Sequence, residues 1–237
     1  MPERSLRDVP KVVLAILAVA LTLQVSLKSA QPVSNPAASE LSPPPSQSSL
    51  RLASLGDPIP LAKLLMLYLQ SFDYRATNRI RYQDLNYDIV QQWLLRILWL
   101  DPRGQYPLLA ASRLYAEVPN DAKVRTMVEF VYQQFLLDPD RRWPWLAQAA
   151  AIAKHRLHDL HLAKRYAAAI QKHSTGANVP LWAKQMEIFI LEDMNELDTA
   201  RIMIGGFLSS GTIHDPAEIR FLDQRLREIE ARLKSLR

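Results

Sequence analysis

The stretch "LDPRGQYPLLA", beginning at Leu100, returns as "LDPDRRWPWLA" from Leu137, with six of eleven positions identical. An aromatic residue precedes the second proline both times, Tyr106 in one copy and Trp143 in the other. The beat continues along the chain: Pro107, Pro144, Pro180 and Pro216 are separated by 37, 36 and 36 residues. Proline suits the first turn of a helix, where a backbone N–H lacks an intrahelical partner, whereas glycine and short polar runs end helices. Gly104, the "STG" ending at Gly176 and the "SSG" ending at Gly211 fall between the units. After Pro60 the apolar residues recur at three- and four-residue intervals, so the units read as helical. The quoted stretch is then a joint: one helix ends at Leu-Asp-Pro, a three-residue turn follows, and the aromatic–proline pair opens the next helix.

A second correspondence lies inside the units. At a shift of 37, Asp159 aligns with Glu196, Leu160 with Leu197, Ala163 with Ala200 and Lys164 with Arg201. Each unit is therefore expected to be two antiparallel helices joined by a tight turn, with the small alanine allowing close approach. Helices are predicted over 60–71 and 85–100, 106–117 and 121–137, 143–157 and 159–173, and 180–194 and 196–209, with a last one over 216–236. "SFDYRATNRIRYQDLNYD" reads as an insertion in the first unit. One helix pair cannot cover its own apolar face, so stacked neighbours share a core and the end unit needs a helix with one polar side. "PAEIRFLDQRLREIEARLKSLR" meets that need, with Ile219, Leu222, Leu226, Ile229 and Leu233 on one stripe.

These features resemble, in degenerate form, the tetratricopeptide repeat superfamily. "LDP" at 100–102 and 137–139 matches the repeat-ending residues, "HDLHLA" at 158–163 and "NELDTA" at 195–200 resemble the turn into the second helix, and Trp145 and Trp182 stand in for the leading tryptophan. The resemblance implies an all-α fold, a right-handed α-solenoid of antiparallel helix pairs over residues 60–210, capped by residues 211–237.

The first sixty residues are of another kind. Arg4, Arg7 and Lys11, in a basic segment over 1–11, precede the apolar run Val12 to Leu27, bracketed by Lys11 and Lys28. Sixteen helical residues reach about 24 Å, slightly short of a hydrocarbon core of about 30 Å, and lysine stems can snorkel to the interfaces. An uncleaved signal anchor over 12–28 is favoured over a removed signal peptide, because cleavage after Ala30 would place Lys28 where a small residue is wanted. The positive flank keeps the N-terminus cytoplasmic and exports the rest, to the periplasm in a bacterium. Gln31 to Pro60 holds seven prolines and seven serines, so residues 29–59 read as a disordered, semi-extended tether.

With no cysteine, disulfides, thiol chemistry and cysteine-based zinc sites are excluded. The net charge of +5 is unevenly spread: residues 141–173 carry seven Lys/Arg against Asp159 alone, whereas 176–215 carry six acids against two bases. Such a surface suits an acidic protein partner or an anionic membrane, and no aromatic-studded basic stripe points to nucleic acid. Lys154, Arg156, Lys164 and Arg165 form the candidate protein-binding patch. Gln148 and Gln185, at matching places on successive first helices, would line a concave side. His155, His158 and His161 straddle a turn and read as a solvated polar segment, so no metal site is expected. "GGFLSSG" at 205–211 lacks the phosphate-loop and nucleophile-elbow residues. Gly205 and Gly206 are instead expected to let two helices approach. The recurring Tyr106, Trp143, Trp145 and Trp182 are expected to pack. No cofactor or catalytic constellation is expected.

The expectation is a non-enzymatic, membrane-anchored adaptor presenting repeats to protein partners on the exported side. A permanent subunit of a larger membrane complex, and an enzyme accessory domain, are the alternatives.

Overall fold

The computed structural model describes residues 10–30, 41–71, 81–211 and 213–235, the side chains of 27–30 excepted. The described residues form twelve α-helices and two short 3-10 segments, with no strand among them. The chain divides into two units, Met1–Ser39 and Glu40–Arg237.

Of the first unit the described part is α1, Lys11–Ala30. All its large apolar side chains from Val12 to Val25 are exposed, Val12 at 69% and Ile16 at 64%. The Thr22 hydroxyl donates to the carbonyls of Ala18 and Val19 at 2.9 Å, so this polar group, the first of the three in the run, is satisfied within the helix. Among the described residues no single helix is long and apolar enough to cross a membrane; the qualifying apolar part of α1, Lys11–Ser26, is short. The basic residues Arg4 and Arg7 lie outside the described residues.

The second unit opens with α2 (Gln47–Ala53) and α3 (Pro58–Gln70). It continues with α4 (Tyr87–Leu100), α5 (Tyr106–Arg113), α6 (Asp121–Leu137), α7 (Pro139–His155) and α8 (Leu160–His173). It closes with α9 (Leu181–Lys184), α10 (Met186–Asp193), α11 (Leu197–Ser209) and α12 (Pro216–Ser235). Short polar residues start many of these helices, as their preference for non-helical backbone predicts. Asn86, Asn120 and Asp159 accept the N–H of Asp88, Lys123 and Leu162 at 3.0, 3.1 and 2.9 Å. Helices pack on their chain neighbours and also on the next but one, α4 on α6, α5 on α7 and α8 on α10. Ala163 and Ala200, aligned by the repeat, are both fully buried where the second helix of each pair packs. One apolar cluster runs from Leu41 to Ile190, and a second, holding Ile188, Leu191, Ile204, Leu222 and Ile229, seats α12.

Several expectations are corrected. The tether ends earlier than residue 59. Leu41 and Leu50 are buried in the core, Trp93 Nε1 donates to the Ser42 carbonyl at 2.8 Å, and Ser46 caps α2. The three prolines at 43–45 lay an extended segment against the helices, and serine serves as a cap; residues 31–40 lie outside the described residues. The two copies of the joint fold differently. In the first, Gly104 N–H bonds the Asp101 carbonyl at 3.0 Å and α5 waits until Tyr106. In the second, Asp138 both ends α6 and starts α7, so the helix begins at Pro139 and Pro144 lies inside it. A proline leaves the carbonyl four residues back without its helical donor. Here that carbonyl belongs to Asp140, and Asn178 Nδ2 supplies the missing donor at 3.4 Å.

The helix expected over 106–117 stops at Arg113 and gives way to a 3-10 segment, Tyr115–Glu117. The one expected over 180–194 breaks at buried Gln185. Gly205 and Gly206 admit no close helix approach, for a Cβ on either meets nothing within 4 Å. Ile219 of the expected apolar stripe is 40% exposed, whereas Leu222 and Ile229 are fully buried. Of the insertion, residues 72–80 lie outside the described residues, and Tyr82–Asp84 form the other 3-10 segment.

Candidate interaction surface

Polar contacts between side chains far apart in the chain cluster at one repeat of separation. Gln70 Nε2 donates to Tyr106 Oη at 2.6 Å, and Trp145 Nε1 to Gln105 Oε1 at 2.6 Å. The Trp143 and Trp182 rings meet edge to face, with centroids 5.4 Å apart. Buried Arg142 donates to the carbonyls of Gln134 and Pro102 at 2.6 and 3.0 Å, and burial pulls its pKa down from the usual arginine value. The joint aromatics thus do pack, each tying one unit to the next, but Tyr106 and Trp182 remain 48% and 54% exposed.

At the first joint this row opens into a cleft of about 480 Å³. Ala62, Lys63, Met66 and Leu67 of α3 form one wall, and Ile97, Asp101, Gly104, Gln105, Tyr106 and Pro107 the other. Gly104 keeps the turn tight there: a Cβ would stand 2.9 Å from Asp101 Oδ2 and 3.1 Å from its carbonyl, so a larger residue would have to push both aside. Beside the cleft Leu64 and Leu67 are 62% and 61% exposed, so α3 is apolar on its outward side as well as its inward one. Walls that are mostly apolar, with Lys63, Asp101, Gln105 and the Tyr106 hydroxyl as the polar groups, suit a bulky apolar group with a polar neighbour at the rim.

No family model, characterised protein or solved structure matches this chain.

The residues expected to form a basic patch are placed otherwise. Lys154 pairs with Asp193, and Lys164 with Glu196 at 2.8 Å. Arg156 donates to the carbonyls of Ala116 and Val118, closing the end of the 3-10 segment, with Glu117 at 3.5 Å. Arg165 pairs with Glu129 and lies over the Tyr132 and Tyr166 rings at 5.0 and 5.1 Å. Those rings stack at 5.3 Å, and burial pushes the Tyr166 hydroxyl pKa up. All four cations therefore hold neighbouring units together. Gln185 is buried and donates to Glu218 of α12 at 3.3 Å, so it lines no groove, and Gln148 is half-buried on α7.

Asp159, the α8 cap, accepts the Leu162 N–H and pairs with Arg125 at 2.7 Å, which together hold its carboxyl below the ordinary aspartate value. Among the described residues no group of three or more metal-ligating side chains comes together, and His158 sits in the turn between α7 and α8. The cleft was missed by sequence reasoning. Its signal is that α3, "PIPLAKLLMLYLQ", is apolar nearly all round, more than one buried face can use.

Proposed function

We propose that this chain is a non-enzymatic scaffold of tetratricopeptide-like α-solenoid type, anchored in the membrane by α1 and presenting its repeats to protein partners on the exported, periplasmic side. Serial helix contacts and bonds spaced by one repeat support the solenoid reading. The exposed apolar surface of α1 and its internally bonded Thr22 support the anchor, with Lys11 at one end of a short apolar stretch. The observation that carries the binding role is the apolar cleft at the first joint, flanked by exposed Leu64 and Leu67, because exposed apolar surface on a rigid scaffold marks an interaction site. The partner presents an apolar side chain to the cleft; its general acidity is not the determinant, since Lys154, Arg156, Lys164 and Arg165 are occupied internally.

A photo-crosslinker at Leu67 of the full chain in its native membrane tests this. A discrete protein adduct that disappears with Leu64→Glu and survives Ile202→Glu is expected. No adduct, or one indifferent to Leu64→Glu, overturns the binding site. The extent of exposed apolar surface on α3 also favours a second reading, a permanent subunit of a membrane complex, for which the purified chain would be unstable alone.

A further inference from the structure

The turn between α2 and α3 holds the most exposed leucines of the described second unit. Leu52 is 80% exposed, Leu55 is 92% exposed and Ile59, in the first turn of α3, is 46% exposed. Leu55 also adopts a left-handed backbone conformation, with φ 49°, followed by Gly56 at φ 94°. A leucine pays twice there, in backbone strain and in apolar surface left in water, and local strain of this kind collects where a segment is used. By composition α2 and α3 together carry the hydropathy of a membrane span, yet they are bent by 114° at the turn and cannot cross as one rod. The only acid between residues 47 and 70 is Asp57, already capping α3 through the Ile59 N–H at 3.1 Å, while Arg51 and Lys63 flank the turn with positive charge.

The chain's connectivity favours lipid as the occupant of this tip. Ten residues, 31–40, separate α1 from Leu41, which is buried in the core, and ten residues cover at most about 36 Å at full extension. In a chain anchored through α1, Leu41 is therefore tethered within that reach of the anchor, and along the sequence the α2–α3 turn carries the first exposed leucines after it. We propose that this turn, with Leu52, Leu55 and Ile59 at its tip, inserts into the surface of the bilayer that holds α1. The inference rests on the anchor reading of α1. The apolar exposure at Leu55 is then matched to lipid, as for other apolar segments that lie in the interface with basic residues beside them.

Because the chain has no cysteine, single sites can be labelled cleanly. Full-length Leu55→Cys, Leu52→Cys and Ile202→Cys chains, each carrying an environment-sensitive fluorophore, are reconstituted into nanodiscs of zwitterionic and anionic phospholipid. Ile202 is the exposed control on α11, at 68%. Labels at 55 and 52 are expected to be quenched at least threefold more by nitroxide-bearing lipid than the label at 202, and at least threefold less by aqueous iodide. If the chain enters the discs but iodide quenches 55 and 52 as it does 202, the anchor stands and the insertion is overturned. Shielding of 55 and 52 from both quenchers assigns the tip to a protein surface and likewise overturns it. A chain that fails to enter the discs removes the anchor and the inference with it.

Discussion

His158 and Asn195, one repeat apart, hold the same left-handed backbone conformation, with φ of 50° and 59°. Each closes the turn between the two helices of its unit. The Asp159 N–H reaches back to the Ala153 carbonyl at 2.9 Å, and the Glu196 N–H to the Leu191 carbonyl at 2.8 Å. The bond at Glu196 is that of a helix-ending cap and the one at Asp159 reaches one residue further back, but both turns pass through a left-handed residue, the position at which glycine is favoured. The match at the level of backbone torsion is stronger evidence for duplication than the side chains, which are not alike.

Glycine at either turn should stabilise the fold. His158→Gly relieves a left-handed non-glycine residue and gains about 0.5–1 kcal/mol after the extra entropy of the unfolded chain is charged against it. Asn195→Gly gains less, because asparagine tolerates this conformation. Urea unfolding midpoints check both.

Arg156→Ala should destabilise by about 1–2 kcal/mol, since it strips the donors from the Ala116 and Val118 carbonyls. Lys164→Glu should also destabilise, by placing a third acid beside Glu196 and Glu187, whose carboxyl burial already pushes up and Lys164 draws down. Hydrogen exchange at residues 115–118 for the first, and thermal melts for both, read the effect. If these cations instead served an external partner, stability would be unmoved.

Removal of Arg225 should release α12 before the rest. Glu192, only 5% exposed in its side chain, pairs with Arg225 at 2.7 Å and Arg232 at 3.7 Å. Stranding a buried carboxylate usually costs about 3–5 kcal/mol, and Arg232 makes up part of it, so Arg225→Ala should cost about 2–3 kcal/mol. Amide exchange in α12 should quicken first, ahead of α6 and α7.

Acid should weaken the α8 end through Asp159. Its pKa in the folded chain lies below the unfolded value of about 3.9, so its contribution is complete above that value and disappears as pH falls through the depressed one. Asp159→Asn keeps an oxygen for the Leu162 N–H but loses the charge. Between pH 5 and pH 2 the parent chain should lose more stability than the variant, as followed by chemical denaturation.

Much of the helical layout was legible because its punctuation is local: α6 starts and ends where its cap and the Leu-Asp-Pro signal place it. The start of α7 was misplaced because Trp143–Pro144 looks like the opening pair at Tyr106–Pro107, while the competing Asp138–Pro139–Asp140 cap lies only a few residues earlier. The cations of 154–165 looked like a free basic face because charge was compared along the chain. Their acids, Glu117, Glu129, Asp193 and Glu196, belong to neighbouring units and meet them only after stacking. The cleft stayed hidden for a related reason. Periodicity marks Leu64 and Leu67 as apolar but carries no information on whether a neighbour covers them, and among the described residues both stay more than half exposed.

Side-chain bonds spaced by about one repeat, as most long-range ones among the described residues are, also determine how the molecule yields to force. Held at its N-terminal end and pulled from Arg237, such a domain has, among the described residues, no clasp joining its two ends. The Glu192 pairings would bear the load first, and rupture would then travel inward in steps of one helix pair, as a zip opens.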